Sequence, residues 1–166
     1  MSAGSAAETA TTVVGTAIRK NLTVATAESL TAGLVAATLA NTPGASGMLQ
    51  GGVVAYQNSV KTHVLGVPED LLAVVGSVDG GVAEAMADGA RRACAADVGI
   101  STTGVAGPDP HDGKDVGTVF IGVASAQGVA SFEYSFAGDR QSIREQACEA
   151  ALARLLAALG GVGYRS

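Results

Sequence analysis

The sequence is short of charge and of aromatic residues. Only 15% of its 166 residues are charged, aromatic residues make up 4%, and Trp is absent. With 10 Lys+Arg against 15 Asp+Glu, the formal charge is −5. The chain therefore has no cationic surplus to drive binding along a nucleic acid or to an anionic membrane. A surface with so little charge does little to keep molecules apart, which favours a homo-oligomer.

Cysteine and histidine are equally scarce. Cys94 and Cys148 lie far apart and form no Cys-x-x-Cys pair, and neither His63 nor His111 lies at metal-ligand spacing from a cysteine. We therefore expect no metal site. No apolar run reaches 18 residues, and the first ten residues lack the basic start and apolar stretch of a secretory signal. These absences predict a cytoplasmic protein with reduced thiols.

Small and apolar residues are abundant. Glycine accounts for 23 residues, and 48% of the chain is hydrophobic, which excludes global disorder. A chain of this length buries roughly 70% of its unfolded surface and can form a full core. The sequence thus predicts a single domain over 1–166, with loose ends at about 1–8 and 160–166.

The hydrophobic pattern predicts an α/β fold. Apolar residues at helical spacing alternate with short β-branched runs in the first half of the chain, which implies crossover connections. A hairpin with a four-residue loop at 125–128 adds an antiparallel neighbour. The prediction is a three-layer α/β/α arrangement whose mixed sheet has about five strands, one of them antiparallel. The predicted strands are 22–27, 48–56, 97–103, 116–124 and 129–136.

Ser29 is the first candidate site residue. It lies in the run AESLTAG at 27–33, where a predicted strand meets a predicted helix. Backbone N–H groups at a helix N-terminus are unpaired and attract negative charge, so a nucleophilic hydroxyl or a bound anion would be stabilised there. The alternative is an ordinary N-cap by Ser29 or Thr31, which the local pattern on its own favours.

Lys61 is the second candidate, with Tyr56 and Asn58 just before it. A lysine whose pKa is lowered by burial can act as a general base towards a serine. The alternative is a solvated lysine on a short helix, which is the usual environment of lysine.

Two further segments could contact a ligand. Thr103 ends a predicted strand, and Gly104 and Gly107 follow it, where glycine lets backbone N–H groups approach a ligand. Arg140 and Arg144 share a helix face and could both bind one phosphate. The alternatives are a tight turn and a set of surface ion pairs.

Together these segments resemble the CinA C-terminal domain family. The likeness covers roughly 9–159 in the family's order and implies a stand-alone form of the domain. Motifs throughout the chain carry it: AESLTAG at 27–33, PGAS at 43–46, GGVVAY at 51–56, Lys61, LGV at 65–67, MADGAR at 86–91, TGVAGP at 103–108, VGTV at 116–119, GDR at 138–140, Ile143 and Arg144.

The resemblance implies an amidohydrolase of pyridine-nucleotide recycling, because the family includes nicotinamide mononucleotide deamidases. Nicotinamide mononucleotide and water would give nicotinic acid mononucleotide and ammonia, with no cofactor. Ser29 would be the nucleophile, Lys61 the base, and Lys61 or Tyr56 would return a proton to ammonia, while the helix N-terminal amides would hold the oxyanion. Other residues implied to line the site are Ser46, Thr103 and Arg140.

The partner implied is thus a small pyridine nucleotide, without direct contact to nucleic acid or membrane. One alternative is a nucleotide-binding module without turnover, acting in regulation or in a competence- or DNA-damage-related complex. Another is an amidase for a different small amide.

The sequence departs from the family's pattern at 109–115. The family has a glycine-rich loop there, whereas this chain has DPHDGKD, with three acidic residues and His111. If this acidic loop borders the phosphate, we expect weaker phosphate binding or a different preferred substrate, because like charges repel.

Overall fold

The structure is a computed structural model that describes residues 3–161. It contains six helices and five strands within that range, plus a short 3-10 turn at Ala45–Gly47. The helices and strands in chain order are α1 (Ala3–Lys20), β1 (Val24–Glu28), α2 (Leu34–Ala40), β2 (Leu49–Val54), α3 (Asn58–His63), α4 (Glu69–Val75), α5 (Gly80–Ala93), β3 (Val98–Gly104), β4 (Thr118–Ser125), β5 (Gly128–Ser135) and α6 (Arg140–Leu159).

The strands form one mixed sheet in the order β2-β1-β3-β4-β5. Strand β1 pairs in parallel with β2 and β3, and β4 runs antiparallel to β3 and β5. The predicted mixed sheet with one reversed strand is confirmed. The predicted four-residue hairpin loop is wrong, because Ser125 pairs directly with Gly128 and leaves only two residues between them. Gly128 has φ +127, which a residue with a side chain rarely adopts.

Helices cover both faces of the sheet. On one face, α1, α2 and α6 bury their apolar sides against the strands, with Val13, Leu39 and Leu152 fully buried. On the other face, α5 and the residues flanking α3 and α4 form a second cluster that includes Val82 and Met86. The predicted three-layer arrangement is therefore confirmed. No helix in the part of the chain that the structure describes has the length and hydropathy needed to cross a membrane.

Glycines let α5 lie very close to the sheet. A Cβ on Gly99 of β3 would lie 2.0 Å from the carbonyl oxygen of Ala87, and one on Gly122 of β4 would lie 2.2 Å from that of Ala83. Helix backbone therefore occupies the space that side chains would need. The abundance of glycine in this chain thus serves packing as well as turns.

The two ends differ from the prediction. A loose start is wrong for 3–8, because α1 begins at Ala3. The segment is rich in Ala, the best helix former, and Ser5 Oγ donates a hydrogen bond to Glu149 Oε1 of α6 at 2.6 Å. At the C-terminal end, which was predicted to be loose from 160 on, Gly160 caps α6. Residues 1–2 and 162–166 lie outside the described residues, so the prediction is not tested there.

Candidate active site

A pocket of about 460 Å³ opens where β1 and β3 end. Both are parallel strands, and ligands in open α/β sheets bind at the carboxyl ends of such strands. The lining comes from segments 29–30, 56–58 and 104–111, with Ser77 and Arg140 completing it. The fold thus brings together the four segments that the sequence singled out.

A tight turn presents Ser29 at the base of this pocket. Strand β1 ends at Glu28, and α2 begins at Leu34 behind Gly33, which has φ +100. Ala32 takes φ +48, a left-handed conformation that is uncommon for a residue with a side chain. The structure has Gly33 at the N-cap with no side-chain hydrogen bond, so capping by Ser29 or Thr31 is wrong.

Glu28 does the capping instead, and sequence reasoning missed it. Its Oε1 accepts hydrogen bonds from Val35 N at 2.8 Å and Thr31 Oγ1 at 2.7 Å, and its Oε2 accepts one from Ala36 N at 3.0 Å. The carboxylate is buried, with 1% of the residue exposed. The expectation that α2 N-terminal amides hold the oxyanion is therefore wrong for these two amides, because a carboxylate already occupies them. An acid at a strand end, several residues before the helix, shows no periodic signal.

One amide beside Ser29 stays available. Leu30 lines the pocket, and no hydrogen bond among residues 3–161 uses its backbone N–H. Ser29 N itself donates to Thr102 O at 3.0 Å, which ties the turn to β3. The Leu30 N–H can thus donate to an oxygen that develops negative charge near Ser29.

Lys61 is fully buried and contacts Ser29. Its Nζ donates hydrogen bonds to Ser29 Oγ at 3.1 Å, Ala55 O at 2.8 Å and Tyr56 O at 3.1 Å. Burial lowers the pKa of Lys61 from 10.5 to about 8, against a smaller opposite effect of the Asp112 charge. A solvated lysine is therefore wrong. The three acceptors satisfy the ammonium, and the neutral amine has a lone pair for the Ser29 proton.

Arg140 supplies a cation at the pocket. It is the first residue of α6, and its guanidinium donates to Tyr56 Oη at 2.7 Å and to Gly107 O. Tyr56 is 49% exposed, and its hydroxyl keeps a proton to donate. Asn58 and Gly104 also line the pocket, so these predicted residues lie together.

The sequence also predicted Thr31, Thr103 and Arg144 as substrate-binding residues, but none of the three lines the pocket; they support its lining from behind. The Arg144 guanidinium donates to Leu30 O at 2.8 Å and Thr31 O at 3.2 Å, which braces the Ser29 turn. Thr31 is buried, with its hydroxyl on Glu28. Thr103 is also buried, and its hydroxyl donates to Ser77 O at 2.6 Å. Arg140 and Arg144 were predicted to bind one phosphate together. The structure does not support this, because the Arg144 guanidinium already donates to the Leu30 and Thr31 carbonyls.

Ser46 does not lie in this pocket. It is exposed in the turn Ala45–Gly47, which precedes β2. Because β2 runs parallel to β1, the start of β2 lies at the opposite edge of the sheet from Ser29. Sequence order alone could not separate the two edges.

No group of three or more His, Cys, Asp or Glu side chains within residues 3–161 is arranged to hold a metal ion. The chemistry that these residues offer is that of a serine next to a lysine base, with an amide donor and a guanidinium in the same pocket.

Fold and site define a three-layer α/β/α domain with a serine–lysine pair at the carboxyl edge of a mixed sheet. The chain belongs to the CinA C-terminal domain family, whose model matches residues 6–159. It is 50% identical over 135 residues to a competence-damage inducible protein of Desulforamulus reducens, covering 81% of this chain and 33% of the relative. It is 43% identical over 150 residues to a CinA-like protein of Frankia casuarinae, covering 90% and 35%. The chain thus spans about a third of the length of these curated relatives.

Solved structures show the same fold. A CinA superfamily protein of Klebsiella pneumoniae superposes with a TM-score of 0.90 at 30% identity, covering 94% of this chain and 98% of that one. A competence/damage inducible protein of Agrobacterium tumefaciens superposes with a TM-score of 0.91 at 32% identity, covering 96% and 98%.

Proposed function

We propose that this chain is an amidohydrolase that converts nicotinamide mononucleotide to nicotinic acid mononucleotide and ammonia. The observation that carries the proposal is the 3.1 Å contact between Ser29 Oγ and the buried Lys61 Nζ, whose pKa is lowered to about 8. A serine with a base in hydrogen-bond reach is the arrangement that activates a hydroxyl for acyl transfer.

The first half of the reaction would release ammonia. Neutral Lys61 takes the proton of Ser29 as its Oγ attacks the carboxamide carbon, and Ala55 O and Tyr56 O stabilise the ammonium that forms. The Leu30 N–H donates to the carbonyl oxygen as it becomes an oxyanion. Lys61 then passes its proton to the leaving amino group, the C–N bond breaks, and ammonia departs from a nicotinoyl ester of Ser29.

Water completes the cycle. Neutral Lys61 accepts a proton from the water that attacks the ester carbon, and the same proton returns to Ser29 Oγ when the C–O bond breaks. The acid product leaves, and the serine is regenerated. One lysine thus acts as base and acid in turn, which suits a group whose pKa lies near the working pH.

The pocket suits a nucleotide in size and charge. Its volume of about 460 Å³ lies within the range of small-molecule sites. Among the described residues that line the pocket, Arg140 is the one Arg or Lys side chain, and a guanidinium binds phosphate well. The amide of the substrate would lie at Ser29 and its phosphate towards Arg140.

The test is ammonia release from nicotinamide mononucleotide. We expect turnover by the wild type and a loss of about 10³-fold or more in kcat for Ser29→Ala, since no other group replaces the nucleophile. Ser135→Ala, an exposed serine on β5, is the matched control and should leave kcat unchanged. Full activity of Ser29→Ala would overturn the proposal.

The same assay separates the alternatives. Tight binding of the nucleotide without ammonia release would indicate a binding module. Release of ammonia from free nicotinamide or another small amide, but not from the mononucleotide, would indicate an amidase of different specificity.

A further inference from the structure

The acidic loop 109–115 has a defined structure at its tip. His111 and Lys114 exchange two backbone hydrogen bonds, N to O at 3.1 Å and 2.8 Å. Between them Asp112 and Gly113 have φ +50 and φ +73. Two consecutive positive φ values are typical of a type I′ turn, for which Asp-Gly is a preferred pair. The tip is therefore a built hairpin turn.

The Asp112 side chain binds Ser77, which belongs to a different segment of the pocket lining. Its Oδ2 accepts hydrogen bonds from Ser77 N at 2.9 Å and from Ser77 Oγ at 3.1 Å. Gly76 makes room for the carboxylate, because a Cβ there would lie 2.8 Å from Oδ2. Ser77 is itself anchored to β3 through the 2.6 Å hydrogen bond from Thr103 Oγ1. We call the Asp112–Ser77 contact the latch.

The latch joins two segments of the pocket lining. Segment 108–111 forms one wall and Ser77 another, so the contact between Asp112 and Ser77 joins the two walls. Without the latch, the two hydrogen bonds between His111 and Lys114 would keep the turn but would not hold it against Ser77. Nothing in the family resemblance predicts this contact, since it uses the segment where the chain departs from the family's pattern.

The latch also fixes the position of a negative charge that acts on Lys61. The Ser77 N–H lowers the pKa of Asp112, so the side chain is a carboxylate, and its charge raises the pKa of Lys61. Asp112 is the charged side chain whose field acts on Lys61. Of the other titratable groups near the pocket, Glu28 accepts hydrogen bonds from the α2 amides, Arg140 donates to Tyr56 and Gly107, and His111 Nε2 lies 3.2 Å from Asp112 Oδ2.

We propose that Asp112 is a positioning residue for the serine–lysine pair: bound to Ser77, it holds loop 108–111 of the pocket lining in place and keeps a negative charge acting on Lys61. The catalytic importance of this role rests on the proposed function, in which Ser29 and Lys61 carry out the reaction. The latch itself and its charge can be tested without any substrate.

Conservative variants separate the effect of the Asp112 charge from that of the Asp112–Ser77 hydrogen bonds. Asp112→Asn removes the charge, but the amide oxygen still accepts from Ser77 N, and Asn tolerates positive φ as well as Asp does. Ser77→Ala removes one of the two hydrogen bonds and keeps the charge. Asp112→Ala removes both the charge and the latch. Asp115→Asn, an exposed acid of the same loop, is the matched control.

The substrate-free test is the titration of lysine Cε signals by NMR. The chain has only three lysines, Lys20, Lys61 and Lys114, and the spectrum of Lys61→Met assigns the buried one. We expect the midpoint of Lys61 to fall in Asp112→Asn and Asp112→Ala, and to stay at the wild-type value in Ser77→Ala and Asp115→Asn. Equal midpoints in Asp112→Asn and Asp115→Asn would overturn the electrostatic part.

Amide hydrogen exchange tests the latch. Exchange of the 109–115 amides should be faster in Asp112→Ala than in the wild type, intermediate in Ser77→Ala and close to wild type in Asp112→Asn. Unchanged exchange in Asp112→Ala would overturn the latch as the element that holds the wall.

Kinetics then connect the latch to turnover. On nicotinamide mononucleotide, Asp112→Asn should move the acid limb of kcat/KM to lower pH, and Ser77→Ala should leave that limb in place. Asp112→Ala should raise KM about 10-fold, the effect of roughly one lost hydrogen-bonded contact. An unmoved acid limb in Asp112→Asn contradicts the positioning role.

If the wild type releases no ammonia at all, the proposed function fails. The NMR titration and hydrogen exchange still decide whether the latch exists.

Discussion

At the scale of single residues, burial decides what Lys61 can do. An exposed lysine is fully protonated at neutral pH and cannot act as a base. Here the side chain lies in the interior with two backbone carbonyls and Ser29 as its only hydrogen-bond partners among the described residues. The cost of burying the charge brings its pKa to about 8, within reach of the working pH.

The pH dependence of turnover should report this group. In the proposed reaction neutral Lys61 is the base, so kcat/KM for ammonia release should rise with pH to a plateau, with a midpoint near 8. The measurement is kcat/KM from pH 6 to 9.5 in buffers of constant ionic strength. A profile that is flat from pH 6 to 8 would contradict Lys61 as the base.

Stability should carry the same signature. In the unfolded chain Lys61 titrates near 10.5, whereas in the folded chain it titrates near 8. Between these values the unfolded state binds more protons, so folding becomes more favourable as pH rises. The gain is complete above about 10.5 and is lost as pH falls through about 8.

Lys61→Met removes this linkage. The free energy of unfolding of the wild type, relative to Lys61→Met, should increase from pH 7.5 to 10 by up to about 3 kcal/mol. Urea unfolding at a series of pH values measures it. A difference that stays constant with pH would show that the buried lysine is not destabilised by its charge.

At the scale of elements, Glu28 links a strand end to a helix start. Its carboxylate takes two N-terminal amides of α2, a helix of seven residues, and also binds Thr31 of the intervening turn. The three parts of the strand–turn–helix unit are thus joined through one side chain. Ser29 is the next residue, so its position depends on this contact.

Glu28→Gln should loosen the unit. Both carboxylate oxygens of Glu28 accept hydrogen bonds, whereas the glutamine amide has only one oxygen. Its NH2 group would point at an N–H donor, and both groups would stay buried without a partner. We expect a loss of about 2–3 kcal/mol in the free energy of unfolding, and lower kcat, because the Ser29 turn shifts. Urea unfolding measures the first effect and ammonia release the second. Glu133→Gln, an exposed acid on β5, should change neither.

At the scale of the whole molecule, close packing of α5 on the sheet sets where the pocket walls meet. Gly99 and Gly122 let the helix backbone approach β3 and β4, and Ser101 Oγ donates a hydrogen bond to Ala83 O across the same surface. Strand β3 ends in the pocket wall at Gly104, so this packing reaches the site. The expected homo-oligomer stays a prediction.

Gly99→Ala should be strongly destabilising. The added methyl group would lie 2.0 Å from Ala87 O, so α5 would have to move away from the sheet. We expect a loss of about 2–4 kcal/mol in the free energy of unfolding. Gly15→Ala in α1, where the nearest atom would be 3.6 Å away, should instead gain up to about 1 kcal/mol. Similar effects of the two substitutions would contradict the packing argument.

Much of this protein could be predicted from its sequence because those features are local. Apolar runs and their spacing indicated the strands and helices, including the reversed strand implied by the final hairpin. Ser29, Lys61 and the glycines at the end of β3 were predicted as site residues because each lies near a strand end or a helix start. In α/β folds these positions commonly line the ligand site. The prediction ended the first strand one residue before Glu28, because a charged residue rarely continues a fully buried strand.

The sequence by itself determined the fold class and the short list of chemical groups. Only the tertiary structure decided which groups meet: Lys61 on Ser29, Glu28 on the α2 amides, Arg144 on the Ser29 turn, and Asp112 on Ser77. Ser46 stood among the candidates and was placed at the other edge of the sheet. The physical reason is that periodicity encodes which side of an element is buried, whereas a contact between residues far apart in the chain depends on how the elements pack.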